Sequence, residues 1–291
     1  MSNNSGSCKL VKFEPCEKVE NQLLIFAEEF FEVISIDYTS ENKEQLVGYM
    51  RCCESEENLL VSAKNAGIML PKYSIENISS QDWLTENVIK FSPVYVADFV
   101  VYGVHEKNVD IKDKIGVKVY AATAFGSEHQ TTKGCLQALS EINRIAGVQN
   151  KVLDVGTGSG VLAIAAAKLW PNTKVVAVDI DEESVAVAGQ NAVDNGVKDR
   201  VTVAYSNGYS APIVQQEKCY NVIFANILAR PLIAMAHDMA TFLAPDGYAV
   251  ISGFIDDQLD WVVGAHEQYG LNVVKIYEID QWRTVLLKKE V

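Results

Sequence analysis

Residues 151–180 read KVLDVGTGSGVLAIAAAKLWPNTKVVAVDI, and this stretch restricts the fold more than any other part of the chain. The apolar run Val152–Val155 ends at Gly156-Thr157-Gly158-Ser159-Gly160. A helix-forming run, Val161–Leu169, follows, and a second apolar run, Val175–Val178, ends at Asp179. The order is strand, glycine turn, helix, strand, acid. Glycines tolerate positive φ and let backbone approach a ligand closely. An acid closing the second strand is placed to accept hydrogen bonds from a ribose diol. Together they predict a site for a nucleoside-containing cofactor.

The glycine spacing bears on which cofactor. The dinucleotide fingerprint is G-x-G-x-x-G, whereas this turn is G-x-G-x-G, with Asp154 two residues before Gly156. A carboxylate there repels a pyrophosphate but anchors the ammonium of an amino acid. S-adenosylmethionine has an ammonium, a ribose diol and no phosphate, so the residues favour the methyl donor over NAD. Asp154, Gly156, Gly158 and Asp179 are the expected cofactor-binding residues. Gly160 is read as a helix-packing position, and Asp181 as the cap of the helix beginning at Glu182, with Ser184 as another candidate.

Composition narrows the partners. The chain has 291 residues, 48% of them apolar, and a net charge of −13. Nucleic-acid binders carry basic patches, and the one run of basic residues is Lys288-Lys289. Direct nucleic-acid binding is therefore not expected, and long-range attraction favours a basic partner. No apolar run approaches the ~20 residues of a membrane span, and the first fifteen residues lack the apolar stretch of a secretory signal. The six cysteines, Cys8, Cys16, Cys52, Cys53, Cys135 and Cys219, show no C-x-x-C spacing, so no metal site is expected. Scattered thiols fit a cytoplasmic location.

Three segments are expected. Over residues 1–80 the pattern β-α-β-β-α-β is that of a ferredoxin-like domain. Residues 81–123 read as a linker and small sheet, with Val94–Val104 rich in Val, Tyr and Phe. Thr131–Ile145 has the apolar spacing of a helix. Residues 124–291 form the third segment. From Lys151 strands at 151–155, 174–178, 200–205, 220–224, 247–252, 272–277 and 283–288 alternate with helices at 160–169, 182–195, 230–243 and 257–269. Such alternation demands a mostly parallel sheet covered on both faces. The last two strands suggest a terminal hairpin.

DVGTGSG followed by VDID resembles the first motif of the class I S-adenosylmethionine-dependent methyltransferases. AFGSEHQTTKGCLQAL at 124–139, FANILARPLIAMAHDMATFLAPDGYAVISGF at 224–254 and DWLTENVIKFSPVYV at 82–96 are similar to the PrmA family, which methylates a ribosomal stalk-base protein. The resemblance runs from about Gln81 onward; residues 1–80 match by layout. It implies an α/β fold with a Rossmann-like methyltransferase sheet, and a smaller N-terminal domain that recognises the protein substrate. It also implies that Ile180 packs on the adenine, that Phe125 lies near the cofactor, and that Thr132 contacts its methionine end. Asn226, following Val222-Ile223-Phe224-Ala225, stands where related amine methyltransferases hold the target nitrogen, and is the expected catalytic residue and a further cofactor-binding one. His129 is expected to organise the loop, and Asn207-Gly208 to lie near the adenine amine.

The loop departs from the family pattern. AFG-T-G-x-H-P-T-T is one residue longer than AFGSEHQTT, which lacks the second glycine and the proline and gains Glu128. The expected function is S-adenosylmethionine-dependent N-methylation of a protein amine on a basic ribosomal protein. The alternatives are a different protein or small-molecule target, or a non-catalytic donor-binding assembly factor. A fourth reading, an NAD-dependent oxidoreductase, is disfavoured by the glycine spacing and Asp154.

Overall fold

The computed structural model describes residues 8–31, 33–38, 43–50, 55–78, 91–120 and 130–290. The chain divides into two units, Met1–Asn87 and Val88–Val291.

In the first unit, β1 (Cys8–Phe13), α1 (Asn21–Phe30), β2 (Val33–Tyr38), β3 (Glu44–Met50), α2 (Glu56–Asn65) and β4 (Tyr73–Ile78) follow one another. The sheet order is β2-β3-β1-β4, every neighbouring pair antiparallel. This is the split β-α-β arrangement, because β3 sits between the two strands joined by α1. Its core includes Val11, Phe13, Leu23, Phe26, Leu46 and Leu59. Phe13 and Phe31 meet edge-on with centroids 6.1 Å apart. Ser55 caps α2, its side chain accepting from Asn58 N at 3.2 Å.

The second unit begins with a three-stranded sheet. In it β5 (Val94–Val96) pairs antiparallel with β6 (Phe99–Gly103), and β6 pairs parallel with β7 (Ile115–Val119). Then come α3 (Gln130–Ala146), β8 (Lys151–Val155), α4 (Val161–Leu169), β9 (Lys174–Asp179), α5 (Glu182–Asp194), β10 (Val201–Tyr205), α6 (Pro212–Gln216) and β11 (Tyr220–Asn226). The series ends with α7 (Ala229–Ala234), α8 (Ala236–Phe242), β12 (Leu243–Ile255), α9 (Leu259–Glu267), β13 (Leu271–Ile279) and β14 (Trp282–Lys289). Seven strands form one sheet in the order β10-β9-β8-β11-β12-β14-β13. The first five run parallel, and β14 is antiparallel to both its neighbours.

Strands buried on both faces read as near-continuous apolar runs, and Val175–Val178 is such a run. α4 is buried from Val161 to Ala167, as a helix apolar on every side must be. One core cluster joins α3 and α4 to one face of the sheet, and a second joins α6 to α9 to the other. The Trp170 indole, fully buried, donates to Asn143 Oδ1 at 2.9 Å.

The single helix expected at 230–243 is two helices. Met235, whose thioether lies against Gly208, leaves helical dihedrals at φ −101°, ψ 7°. The strand expected at 247–252 extends to Leu243–Ile255 because it is flanked on both sides, by β11 and β14. The short α6 carried no periodicity to reveal it, and Pro212 opens it. Among the described residues no helix is long and apolar enough to cross a membrane.

Candidate functional site

Connections leave β8 towards β9 and β10 on one side, while β11 and β12 lie on the other. Open α/β sheets bind ligands in the crevice beyond the carboxyl ends of the strands at such a reversal. Phe224 pairs with Asp154 in register, so the Gly156 turn and Asn226 leave adjacent strands at the same level.

Asp154 is 1% exposed. Its Oδ2 accepts from Thr157 Oγ1 at 2.7 Å and from Ala163 N at 3.2 Å, so it serves the N-terminus of α4, where Gly160 offers no side chain. Its Oδ1 is buried without a hydrogen-bond partner. Burial pushes the carboxyl up to about 7. The two donors oppose that shift, and the neighbouring Asp179 charge adds to it. An unpaired buried oxygen is costly, and a ligand cation reaching Oδ1 would relieve both the desolvation and the missing bond. The same carboxylate occupies an N–H at the helix start that a pyrophosphate would require.

Gly156, Gly158 and Gly160 take φ of +71°, +54° and +80°. A Cβ at Gly156 would also overlap the Ile227 side chain, so both conformation and space demand glycine there. At Gly160 it would lie 3.1 Å from Ala188 Cβ of α5, which makes Gly160 a packing position.

Asp179 ends β9. Its Oδ2 accepts from Gly158 N at 2.8 Å and its Oδ1 from Asp181 N at 3.1 Å. The carboxylate therefore braces the glycine turn and has lone pairs left for a ligand diol. Ile180 beside it is 59% exposed, the apolar surface that stacking on a base requires. Asp181 caps α5, accepting from Ser184 N at 2.9 Å and from Ser184 Oγ at 2.7 Å. Asn207 and Gly208 lie in the turn after β10, where Ser206 Oγ donates to the Gly208 carbonyl at 2.7 Å.

Asn226, half-buried, closes β11, and its Nδ2 donates to Thr132 Oγ1 in the first turn of α3 at 3.4 Å, the long end of the hydrogen-bond range. The amide nitrogen is thereby directed to α3, leaving Oδ1 as the acceptor on the opposite side. Leu228, two residues on, is 72% exposed. Phe125 and His129 lie outside the described residues.

Beneath Asn226 is a buried polar group that the sequence did not announce. Ser252, paired with Asn226 across β11 and β12, lies 2.7 Å from Thr284 Oγ1 of β14 and donates to the Arg283 carbonyl at 2.8 Å. Burial pushes the Cys135 thiol up, Asp154 adds to that, and hydrogen bonds with Ser252 and Thr284 oppose it. Cys135 is thus a thiol at neutral pH and no nucleophile.

Two asparagines of the α5 region were also missed. Asn191 Oδ1 accepts from Tyr120 N at 2.7 Å, and its Nδ2 donates to the carbonyls of Tyr120 (3.2 Å) and Ser159 (2.8 Å). Asn195 treats Lys118 likewise, accepting from its N at 3.0 Å and donating to its carbonyl at 2.5 Å. These amides bind β7 and the glycine turn to one helix. The available signal was a pair of poor helix formers four residues apart on one face.

Residues 10–290 match the family model described as ribosomal protein L11 methyltransferase (PrmA). The ribosomal protein L11 methyltransferase of Rhodopseudomonas palustris (strain BisB5) is 39% identical over 217 residues, 74% of this chain and 73% of that protein. That of Brucella suis (strain ATCC 23445 / NCTC 10510) is 37% identical over 217 residues, 74% and 75% of the two chains. In fold, the chain is similar to the crystal structure of ribosomal protein L11 methylase from Lactobacillus delbrueckii subsp. bulgaricus. The TM-score is 0.61 at 24% identity, over 70% of this chain and 100% of that one.

Proposed function

Since the chain belongs to the ribosomal protein L11 methyltransferase (PrmA) family, we propose that it transfers a methyl group from S-adenosylmethionine to an amine of ribosomal protein L11, in the cytoplasm. The observation that carries this reading is the meeting of the Asp154–Gly158 turn and Asn226 at the ends of adjacent strands. One holds an amino-acid cation; the other offers a carbonyl to a nitrogen.

The roles divide by position. Asp154 Oδ1 receives the donor's ammonium, Gly156 and Gly158 admit its backbone-like end, Asp179 accepts from the ribose diol, and Ile180 lies against the base. Phe125 and Thr132 complete the donor side. The donor, when bound, supplies a sulfonium-activated methyl carbon. The target nitrogen would attack that carbon as the carbon–sulfur bond breaks, the bonding pair leaving with sulfur and the amine proton passing to water, so the residues need only align and dehydrate. Orientation of that kind contributes roughly 7–11 kcal/mol. A lysine amine has a reference pKa near 10.4; burial favours its neutral form, and Asn226 Oδ1 accepts from a target N–H and fixes its direction. The first unit, with its own core, is the substrate-recognition domain, and the acidic net charge suits a basic partner.

Incubation with labelled donor and undermethylated ribosomes, followed by mass spectrometry, tests the reaction; labelled L11 is expected. Labelling of a different protein or a small molecule would move the target, and donor binding without transfer would leave an assembly factor. Asn226→Ala should lower turnover at least a hundredfold, about 2.7 kcal/mol, with donor affinity changed only severalfold, because its contact belongs to the transition state. Asp179→Ala should weaken donor binding more than tenfold.

A further inference from the structure

The first turn of α3 is held at both ends by residues far along the chain. At its start, Gln130 Nε2 donates to Asp280 Oδ2 at 2.7 Å, in the turn between β13 and β14. Gln130 Oε1 accepts from Lys133 Nζ at 2.8 Å. Four residues on, Gly134 lets β14 come close: a Cβ there would lie 2.8 Å from Thr284 Cβ. The turn that carries Asp280 is itself secured. Asp280 takes φ +53°, and Arg283 donates to the Asp280 carbonyl at 3.0 Å and to Asp256 Oδ1 at 2.9 Å. Asp256 N donates to the Gln281 carbonyl at 3.0 Å. Between the two anchors lies Thr132, the hydroxyl that receives the Asn226 amide.

Resting on the N-methyltransferase reading above, we propose that Gln130 and Asp280 are positioning residues. Their hydrogen bond sets the first turn of α3, hence the Thr132 hydroxyl, hence the direction of Asn226 Oδ1. Neither touches the reacting atoms. Gln130 stands where the resembled loop pattern has proline, a residue that presets φ at the first helical position. Here a side-chain link replaces that backbone constraint, and the turn of β13–β14 becomes part of the catalytic support.

Gln130→Glu sets a carboxylate against Asp280 and breaks the link while keeping the Lys133 contact. Adding Asp280→Asn exchanges amide and carboxylate and restores it, and asparagine tolerates the positive φ. Turnover on the ribosomal substrate should fall five- to tenfold in Gln130→Glu and return to within twofold in the exchanged pair. Substrate KM should stay within twofold throughout, while the donor Kd should weaken in Gln130→Glu and recover in the pair, because Thr132 also faces the donor. Gln130→Pro should likewise keep most of the turnover. Amide hydrogen exchange supplies a readout apart from activity. Protection of the first hydrogen-bonded amides of α3, around Gly134, should drop in Gln130→Glu and recover in the pair. Equal turnover and equal protection in Gln130→Glu and the exchanged pair would overturn the link. A wild-type protein that leaves ribosomal protein unmethylated would defeat the reaction instead, and the exchange pattern would still decide the link.

Discussion

At Asp154, Thr157 Oγ1 and Ala163 N both donate to Oδ2 and so favour the carboxylate, while burial and the nearby Asp179 favour the acid; burial is the largest effect and sets the value near 7. A group whose folded pKa exceeds its unfolded value contributes stability below the unfolded pKa and loses it as pH rises through the folded one. For the donor-free protein, this residue's contribution therefore declines between about pH 4 and pH 7. An ammonium at Oδ1 needs the ionised form, so the bound state reverses the trend. Donor affinity by calorimetry should fall towards tenfold per pH unit below 7, and again above roughly 8, where an α-amine loses its proton. Asp154→Asn should remove the low-pH arm and weaken binding throughout. An affinity flat from pH 6 to 8 in the unmodified protein would take Asp154 off the ammonium.

Among the elements, α3 depends for its placement on a missing side chain. At Gly134 alanine gains about 0.5–1 kcal/mol of helix propensity. Its methyl must then push aside Thr284, which is 2% exposed and tied to Ser252. Overpacking of that kind costs about 1–3 kcal/mol, so the clash outweighs the propensity. Gly134→Ala should lower the melting temperature by a few degrees, given ~2–4 °C per kcal/mol at this size, and should slow turnover. A higher melting temperature would show that β14 yields at no cost. The glycine turn, both acids closing β8 and β9, and the strand that ends in Asn226 all follow from residues within a few positions of one another. The split order of the first unit was legible for the same reason. The ties that fix α3 and β7 were not: Gln130 finds its partner 150 residues away, and Asn191 and Asn195 find theirs 71 and 77 residues away. Such pairs leave no local period, and the polar group under Asn226 sits in strands whose pattern reads simply as apolar.

For the whole molecule, the two units have separate hydrophobic cores, one around Phe13 and Leu46 and the other spread over both faces of the large sheet. Every described residue proposed above for the donor belongs to the second. A truncated form comprising Val88–Val291 should fold, bind S-adenosylmethionine with affinity within twofold of the full chain, and lose methylation of ribosomal protein. Full activity in that form would show that residues before Val88 do not choose the target. With a net charge of −13, association of the full chain with a basic substrate should slow as salt shortens the Debye length from about 10 Å at 0.1 M to 3 Å at 1 M.

The anchoring of α3 by β13 and β14 also bears on the order of events at birth. A ribosome releases the chain from its N-terminus, and helices with local contacts form early. α3 emerges long before the strand that fixes its first turn: Thr131 waits for Thr284, 153 residues later. The glycine turn and β11 can assemble in the meantime, so, on the proposed function, a nascent chain should gain donor binding before it gains transfer. Competence for transfer is then expected in one late step, when β14 takes its place between β12 and β13. On the proposed function, a half-made copy should therefore be inert towards the ribosomal protein beside it.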